Sequence, residues 1–139
     1  MARCDLHVHS WHSGKTAHVT LLEPTDSCST PERIYRRAKA RGMDLVTITD
    51  HDSIAGCLEF RARHPEAADF FISEEVSVPL KDAGYILHVG VYGMAPEDHD
   101  EIRARRVHWE SLLDWLDGRG LFYAWNHPFY HFPRGEAGA

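Results

Sequence analysis

Near the start of the chain, His7 and His9 flank Val8, and Leu6 precedes them. On an extended strand alternate side chains share a face, so this spacing sends both imidazoles to one side and the aliphatic residues to the other. Two imidazoles that close can hold one metal ion. Three further histidines, His51, His88 and His127, each sit at or just beyond the end of a later apolar run, and Glu75 sits within a fourth. In an α/β barrel such strand ends converge on one face, where a carboxylate among imidazoles makes a centre for divalent cations.

Eleven histidines in 139 residues stand against roughly three expected from average usage, so the chain has a use for imidazole. The net charge of −6 disfavours a generally basic nucleic-acid surface. The longest apolar run falls far short of the ~20 residues of a membrane span, and no apolar leader follows Met1, so we expect no membrane association. Cys4, Cys28 and Cys57 are odd in number and lack C-x-x-C spacing, which predicts free thiols and a cytoplasmic setting.

The elements that must position these groups alternate. Residues 3 to 9 read as a first strand. A stretch from Ser10 to Ser29 without sustained period follows, containing His12, Lys15 and His18. Ser29-Thr30-Pro31-Glu32 supplies start signals for a helix over about 31 to 41. Met43 to Thr49 is a β-branched strand delivering Asp50, His51 and Asp52 to its end, and a helix over about 53 to 63 stops at His64-Pro65. Strands over 70 to 78 and 85 to 92, one long helix after Pro96 with a stripe of Ile102, Trp109, Leu113 and Leu116, and a strand over 121 to 125 complete the pattern. The aromatic residues at 109, 115, 122 and 125 are read as core. This alternation predicts a single domain with about five mostly parallel strands, open or curled into a barrel.

Taken in order, Asp5-Leu6-His7-Val8-His9-Ser10, Ile48-Thr49-Asp50-His51-Asp52, Glu75-Val76-Ser77, His88 and Asn126-His127-Pro128 resemble the polymerase and histidinol phosphatase (PHP) domain, from residue 5 to 128. The resemblance implies a distorted seven-stranded (β/α) barrel and a metal-dependent phosphoesterase holding two or three divalent ions, zinc, manganese or iron. It makes His7 and His9 ligands of a first ion, Glu75 a bridge to a second completed by His88 and His127, and His51 a ligand of a third, with His7, His9, Glu75 and His127 carrying the chemistry. Such a pair of ions would activate a water as hydroxide against a phosphate mono- or diester. The substrate would be a phosphorylated small molecule, a nucleotide or an oligonucleotide.

Asp5 and Asp50 are expected behind the ligating imidazoles, as acceptors of their second N–H. Glu74 is the rival of Glu75; alternation turns only one of them toward the imidazoles. Where the family often has Ser-Asp-Gly, this chain has Ser13-Gly14-Lys15, so His18, or else His12, would substitute as a ligand, and Lys15 would meet a substrate phosphate. His64, His99, His108 and His131 read as structural or exposed. The family's late Asp-x-His has no counterpart after His127, so relative to the family residues 1 to 139 form a domain that stops short. Two other readings remain: a metal-binding or interaction module without catalysis, and an amidohydrolase acting on C–N bonds.

Overall fold

The computed structural model describes residues 1–13, 27–80, 84–128 and 132–133. Its elements run β1 (Cys4–Asp5), α1 (Pro31–Ala40), β2 (Leu45–Val46), α2 (Ala55–Arg63), β3 (Ser73–Leu80), β4 (Tyr85–Tyr92), α3 (Asp98–Arg105), α4 (Trp109–Arg119), β5 (Phe122–Asn126) and β6 (Phe132–Pro133). The chain is therefore mixed α/β.

Strand direction corrects the sequence-based expectation. β1 and β2 pair in parallel, and parallel bridges join Val46 to Phe70 and His51 to Glu75. Beyond them, β3, β4, β5 and β6 pair antiparallel. Residues 81 to 84 are too few for a crossover between parallel strands, so β3 and β4 form a hairpin. No pairing among the described residues returns β5 or β6 to β1, and a closed barrel is not formed by them.

The ladder at the first strand is shorter than expected because a side chain replaces part of it. Thr49 Oγ1 accepts the Val8 N–H at 2.9 Å while the Thr49 N–H donates to Val8 O at 2.8 Å. Pro79 lies inside β3, opposite Ile86, rather than ending the strand. Proline is tolerated where the strand's second edge carries no ladder.

Helix α1 begins as its signals require: Pro31 occupies the first turn and Thr30 Oγ1 accepts the Arg33 N–H at 3.2 Å. The long helix expected after Pro96 is two. The Arg106 N–H still bonds Ile102 O, but the His108 N–H turns to Arg105 O, and a new helix starts at Trp109. The break re-registers the apolar stripe, burying Ile102, Leu112 and Leu116 and leaving Trp109 at the surface. Phe122 and Trp125 are likewise exposed on β5 instead of filling the core. The core proper lies between the helices and the strands, built around Ile48, Phe60, Val76, Val78, Val89, Val91, Leu112 and Leu116. No described helix is long and apolar enough to cross a membrane. The three cysteines are free, and burial pushes the Cys57 thiol up to about 12, which makes it inert.

Candidate metal centre

The segment after β1 is held at every second residue. Val8 is fixed by Thr49, and Ser10 by Asp50, whose Oδ1 accepts the Ser10 N–H at 2.6 Å and whose Oδ2 accepts the Ser10 hydroxyl at 2.7 Å. Residues between those anchors project the other way, so His7 and His9 emerge together with Nε2 atoms 3.0 Å apart. Gly56 makes this clamp possible: a Cβ there would lie 2.4 Å from Asp50 Oδ2 and 2.6 Å from Ser10 Oγ. Burial pushes the Asp50 carboxyl up, against the two Ser10 hydrogen bonds that favour its ionised form.

His51 is brought beside Glu75 by backbone pairing. The Glu75 N–H donates to Asp50 O at 3.1 Å and the Asp52 N–H donates to Glu75 O at 2.9 Å. Asp52 then turns the chain away with φ 50°, accepts the Ser77 N–H at 2.9 Å and pairs with Arg106. Across the hairpin, His88 of β4 stands opposite Ser77 of β3 and Asn126 of β5, and His127 follows β5 with φ 31°. A non-glycine residue in that region is strained, and such strain recurs at sites where a side chain must be aimed.

These elements converge on the fully buried carboxylate of Glu75. Oε2 lies 3.2 Å from His7 Nε2, 3.2 Å from His9 Nε2 and 3.4 Å from His51 Nε2. Oε1 lies 3.5 Å from His88 Nδ1 and 3.3 Å from His127 Nε2, and accepts a hydrogen bond from Asn126 Nδ2 at 2.9 Å. The imidazoles form a closed circuit about it. Successive ring centroids are 5.0 Å apart from His7 to His9, 4.7 Å from His9 to His51 and 4.6 Å from His51 to His88. From His88 to His127 the spacing is 5.0 Å, and from His127 back to His7 it is 5.6 Å.

Five imidazoles crowded on one carboxylate could hold a cation, a role that protons fill poorly. Nitrogen atoms 3.0 Å apart cannot both carry a proton, and Glu75 Oε2, though facing three rings, has no well-formed hydrogen bond among the described residues. A divalent ion satisfies both demands, because it takes neutral imidazole nitrogen and carboxylate oxygen as ligands. Two triads offer ligand atoms within 4.8 Å of one another, His7 with His9 and Glu75, and His51 with Glu75 and His88. Glu75 belongs to both. Electrostatics prepare the site: burial opposes ionisation of Glu75, but His7, His9, His51 and Asn126 outweigh it and hold the carboxyl far below its usual range. Burial lowers His88 to about 4, against the pull of Glu75, so this ring is neutral and ready to bind.

Ser13, Asn126 and Tyr92 support this cluster without having stood out in the sequence. Ser13 Oγ lies 3.3 Å from His9 Nδ1 and accepts the backbone N–H of His51 at 3.0 Å, so one hydroxyl ties the His9 ring to the His51 main chain. Tyr92 folds its hydroxyl over Gly90, the residue paired with Glu75; a Cβ at Gly90 would meet it at 2.1 Å. Asn126 lies inside a motif already singled out, but only the sheet register reveals that its amide serves Glu75.

The remaining candidates fall elsewhere. Asp5 accepts the backbone N–H of His7 at 3.3 Å, and Asp50 serves Ser10, so in this structure both hold backbone or hydroxyl groups rather than an imidazole N–H. His12 is engaged by Glu59 at 2.5 Å. His18 and Lys15 lie outside the described residues. Glu74 turns away from the cluster yet is also buried, with Oε2 2.9 Å from His99 Nδ1 of α3. That hydrogen bond, ahead of burial, raises the affinity of His99 for its proton. Helix α3 thus grips the floor of the centre twice, His99 on the neighbour of Glu75 and Arg106 on the neighbour of His51.

No protein-family model matches the chain. An uncharacterised protein of Methanocaldococcus jannaschii is 31% identical over 99 residues, which is 69% of this chain and 57% of the relative. Among solved structures, an amidohydrolase from Chromobacterium violaceum, with bound sulfate and no metal, superposes with a TM-score of 0.52 and 29% identity over 76% of this chain and 34% of its own. A protein from Bifidobacterium adolescentis described provisionally as a metal-dependent phosphoesterase has a TM-score of 0.48 and 23% identity, over 64% of this chain and 27% of its own. That last likeness is too slight to bear weight. The chain thus spans little more than half of its relative and about a third or less of its structural neighbours; its likeness to the Chromobacterium amidohydrolase makes its fold hydrolase-like.

Proposed function

We propose that this chain carries the metal centre of a PHP-type phosphoesterase that hydrolyses a phosphate mono- or diester. The observation that carries the reading is the division of Glu75: one oxygen faces His7, His9 and His51, the other His88 and His127, so a single buried carboxylate serves two groups of imidazoles. His7 and His9 with Glu75 would hold one dication and His88 and His127 with the same carboxylate a second; His51, which faces Oε2 yet also groups with Glu75 and His88, would stand between them. The donor set suits zinc, manganese or iron. When bound, such ions supply Lewis acidity toward a phosphoryl oxygen and lower the pKa of water.

The protein's own contribution is position and charge. Ser13 fixes the His9 ring, Asn126 fixes Glu75 Oε1, Thr49 fixes the backbone between His7 and His9, and the Asp50 clamp on Ser10 fixes the backbone just after them. The sulfate bound by the Chromobacterium protein is a tetrahedral oxyanion of phosphate's shape, which supports a phosphoryl substrate here. The name of that same protein favours a second reading, hydrolysis of a C–N bond. Against it, the centre is built on a glutamate, and the described lysine, Lys39, is held by Asp69 at 2.5 Å.

The test is metal content together with hydrolysis of p-nitrophenyl phosphate, bis-p-nitrophenyl phosphate and an aromatic amide, with and without chelator. Phosphoester hydrolysis that needs metal and is lost in Glu75→Gln and His9→Ala supports the proposal. Turnover of the amide alone, or phosphoester turnover indifferent to chelator or to Glu75→Gln, rejects it. Metal bound without any turnover assigns the chain to the non-catalytic reading.

A further inference from the structure

Beside the metal centre lies a cavity of about 170 Å³ between α1 and the first two strands. Its lining includes His9 and Asp5 at one side and Arg33 and Arg37 of α1 with its C-cap Arg41 at the other. The arginines are spaced four residues apart, so they share one helix face. Among the described residues none of them pairs with a carboxylate; the cations that do are Lys39, Arg63, Arg105, Arg106 and Arg119. The helix dipole accounts for Arg37 and Arg41 at its negative end but not for Arg33. Cations favour the last turn of a helix, but Arg33 stands in the first, where the macrodipole disfavours positive charge. Asp5 is the one carboxylate among the described residues of the lining, against three guanidinium groups, in a protein whose formal charge is −6.

We infer that this cavity is a substrate subsite for an anionic group carried on a small apolar or planar moiety next to the scissile phosphate. The inference rests on the phosphoesterase reading and narrows its substrate class to esters bearing a second negative charge. The dimensions agree: an apolar cavity of about 150 Å³ admits a benzene ring, so one ring fits here with its charge toward the arginines. Guanidinium forks take carboxylate or phosphate oxygens in pairs, which fixes the far end of such a substrate while His9 stands at the near end.

The experiment compares phenylphosphonate with 4-carboxyphenylphosphonate, neither hydrolysable, binding to manganese-loaded protein by calorimetry. The carboxylated compound is expected to bind about tenfold tighter, the scale of one charge-assisted hydrogen bond at a partly exposed site. In Arg37→Ala, a change at an exposed helix position, that ratio falls toward one while the affinity for phenylphosphonate holds; Arg33→Ala/Arg37→Ala abolishes the preference, and raised salt weakens it in the unaltered protein. Equal binding of the two compounds, or a preference that survives the double change, overturns the inference and leaves the phosphoesterase reading standing. If neither phosphonate binds, the phosphoesterase reading fails and takes the inference with it.

Discussion

His88 offers a quantitative test of how the centre is wired. Buried on β4 with Nδ1 3.5 Å from Glu75, it titrates in the folded protein at about 4 against an ordinary value of 6.5, because burial penalises the imidazolium more than Glu75 rewards it. A histidine with a depressed folded pKa contributes stability that is complete above 6.5 and is lost as the pH falls toward 4, since over that window the unfolded chain takes up the proton first. At 1.36 kcal/mol per unit the full shift is worth about 3 kcal/mol, most of which is lost by pH 4.5. The perturbation is His88→Asn, which keeps a polar group near the Nδ1 position and cannot titrate. Urea unfolding of the metal-free protein at pH 7 and pH 4.5 gives the slope. The comparison must be between variants, because His99, with a raised pKa, contributes stability below 6.5 that is lost as the pH rises through its folded value, the opposite sign. The unaltered protein is expected to lose about 2–3 kcal/mol more than His88→Asn between those pH values. Equal losses would refute the claim that burial keeps this ring neutral.

Three further outcomes are expected. Asn126→Ala removes the amide on Glu75 Oε1, and metal affinity measured by competition with a chromophoric chelator should fall about 10- to 100-fold with little change in melting temperature. Gly56→Ala drives a methyl into Asp50 and Ser10, so chemical denaturation should show a loss of about 1–3 kcal/mol, together with weaker metal binding because the His7–His9 segment shifts. Leu116→Ala empties a fully buried position on α4; denaturation should report about 2–5 kcal/mol lost, while metal stoichiometry stays as it was.

What the sequence disclosed followed from periods and punctuation. Alternation in Leu6-His7-Val8-His9 put both imidazoles on one face, and the same rule separated Glu74 from Glu75, which the structure sends to opposite sides of β3. Thr30 and Pro31 marked the start of α1 correctly because capping is a local interaction. Strand direction is not legible in the apolar runs, which look alike whichever way they pair; the four residues between Leu80 and Tyr85 are the local sign of a hairpin. The break between α3 and α4 was hidden because Trp109 fits the helical period yet finds no core to enter. Ser13, Asn126 and Tyr92 could not be assigned, since their partners lie 38, 51 and, through Gly90, a whole strand pairing away.

The two holds of α3 carry a consequence for how the centre responds to its surroundings. This helix buries only one apolar side chain, Ile102, with Asp98, and is tied to the sheet by His99 on Glu74 and by Arg106 on Asp52, two turns apart along one side. It behaves less like a wedge of core than like a bracket fastened at two points. Each fastening sits one residue from the cluster, His99 on the neighbour of Glu75 and Arg106 on the neighbour of His51. The backbone that aims those two side chains is thus braced from a helix that reaches the protein's outer surface.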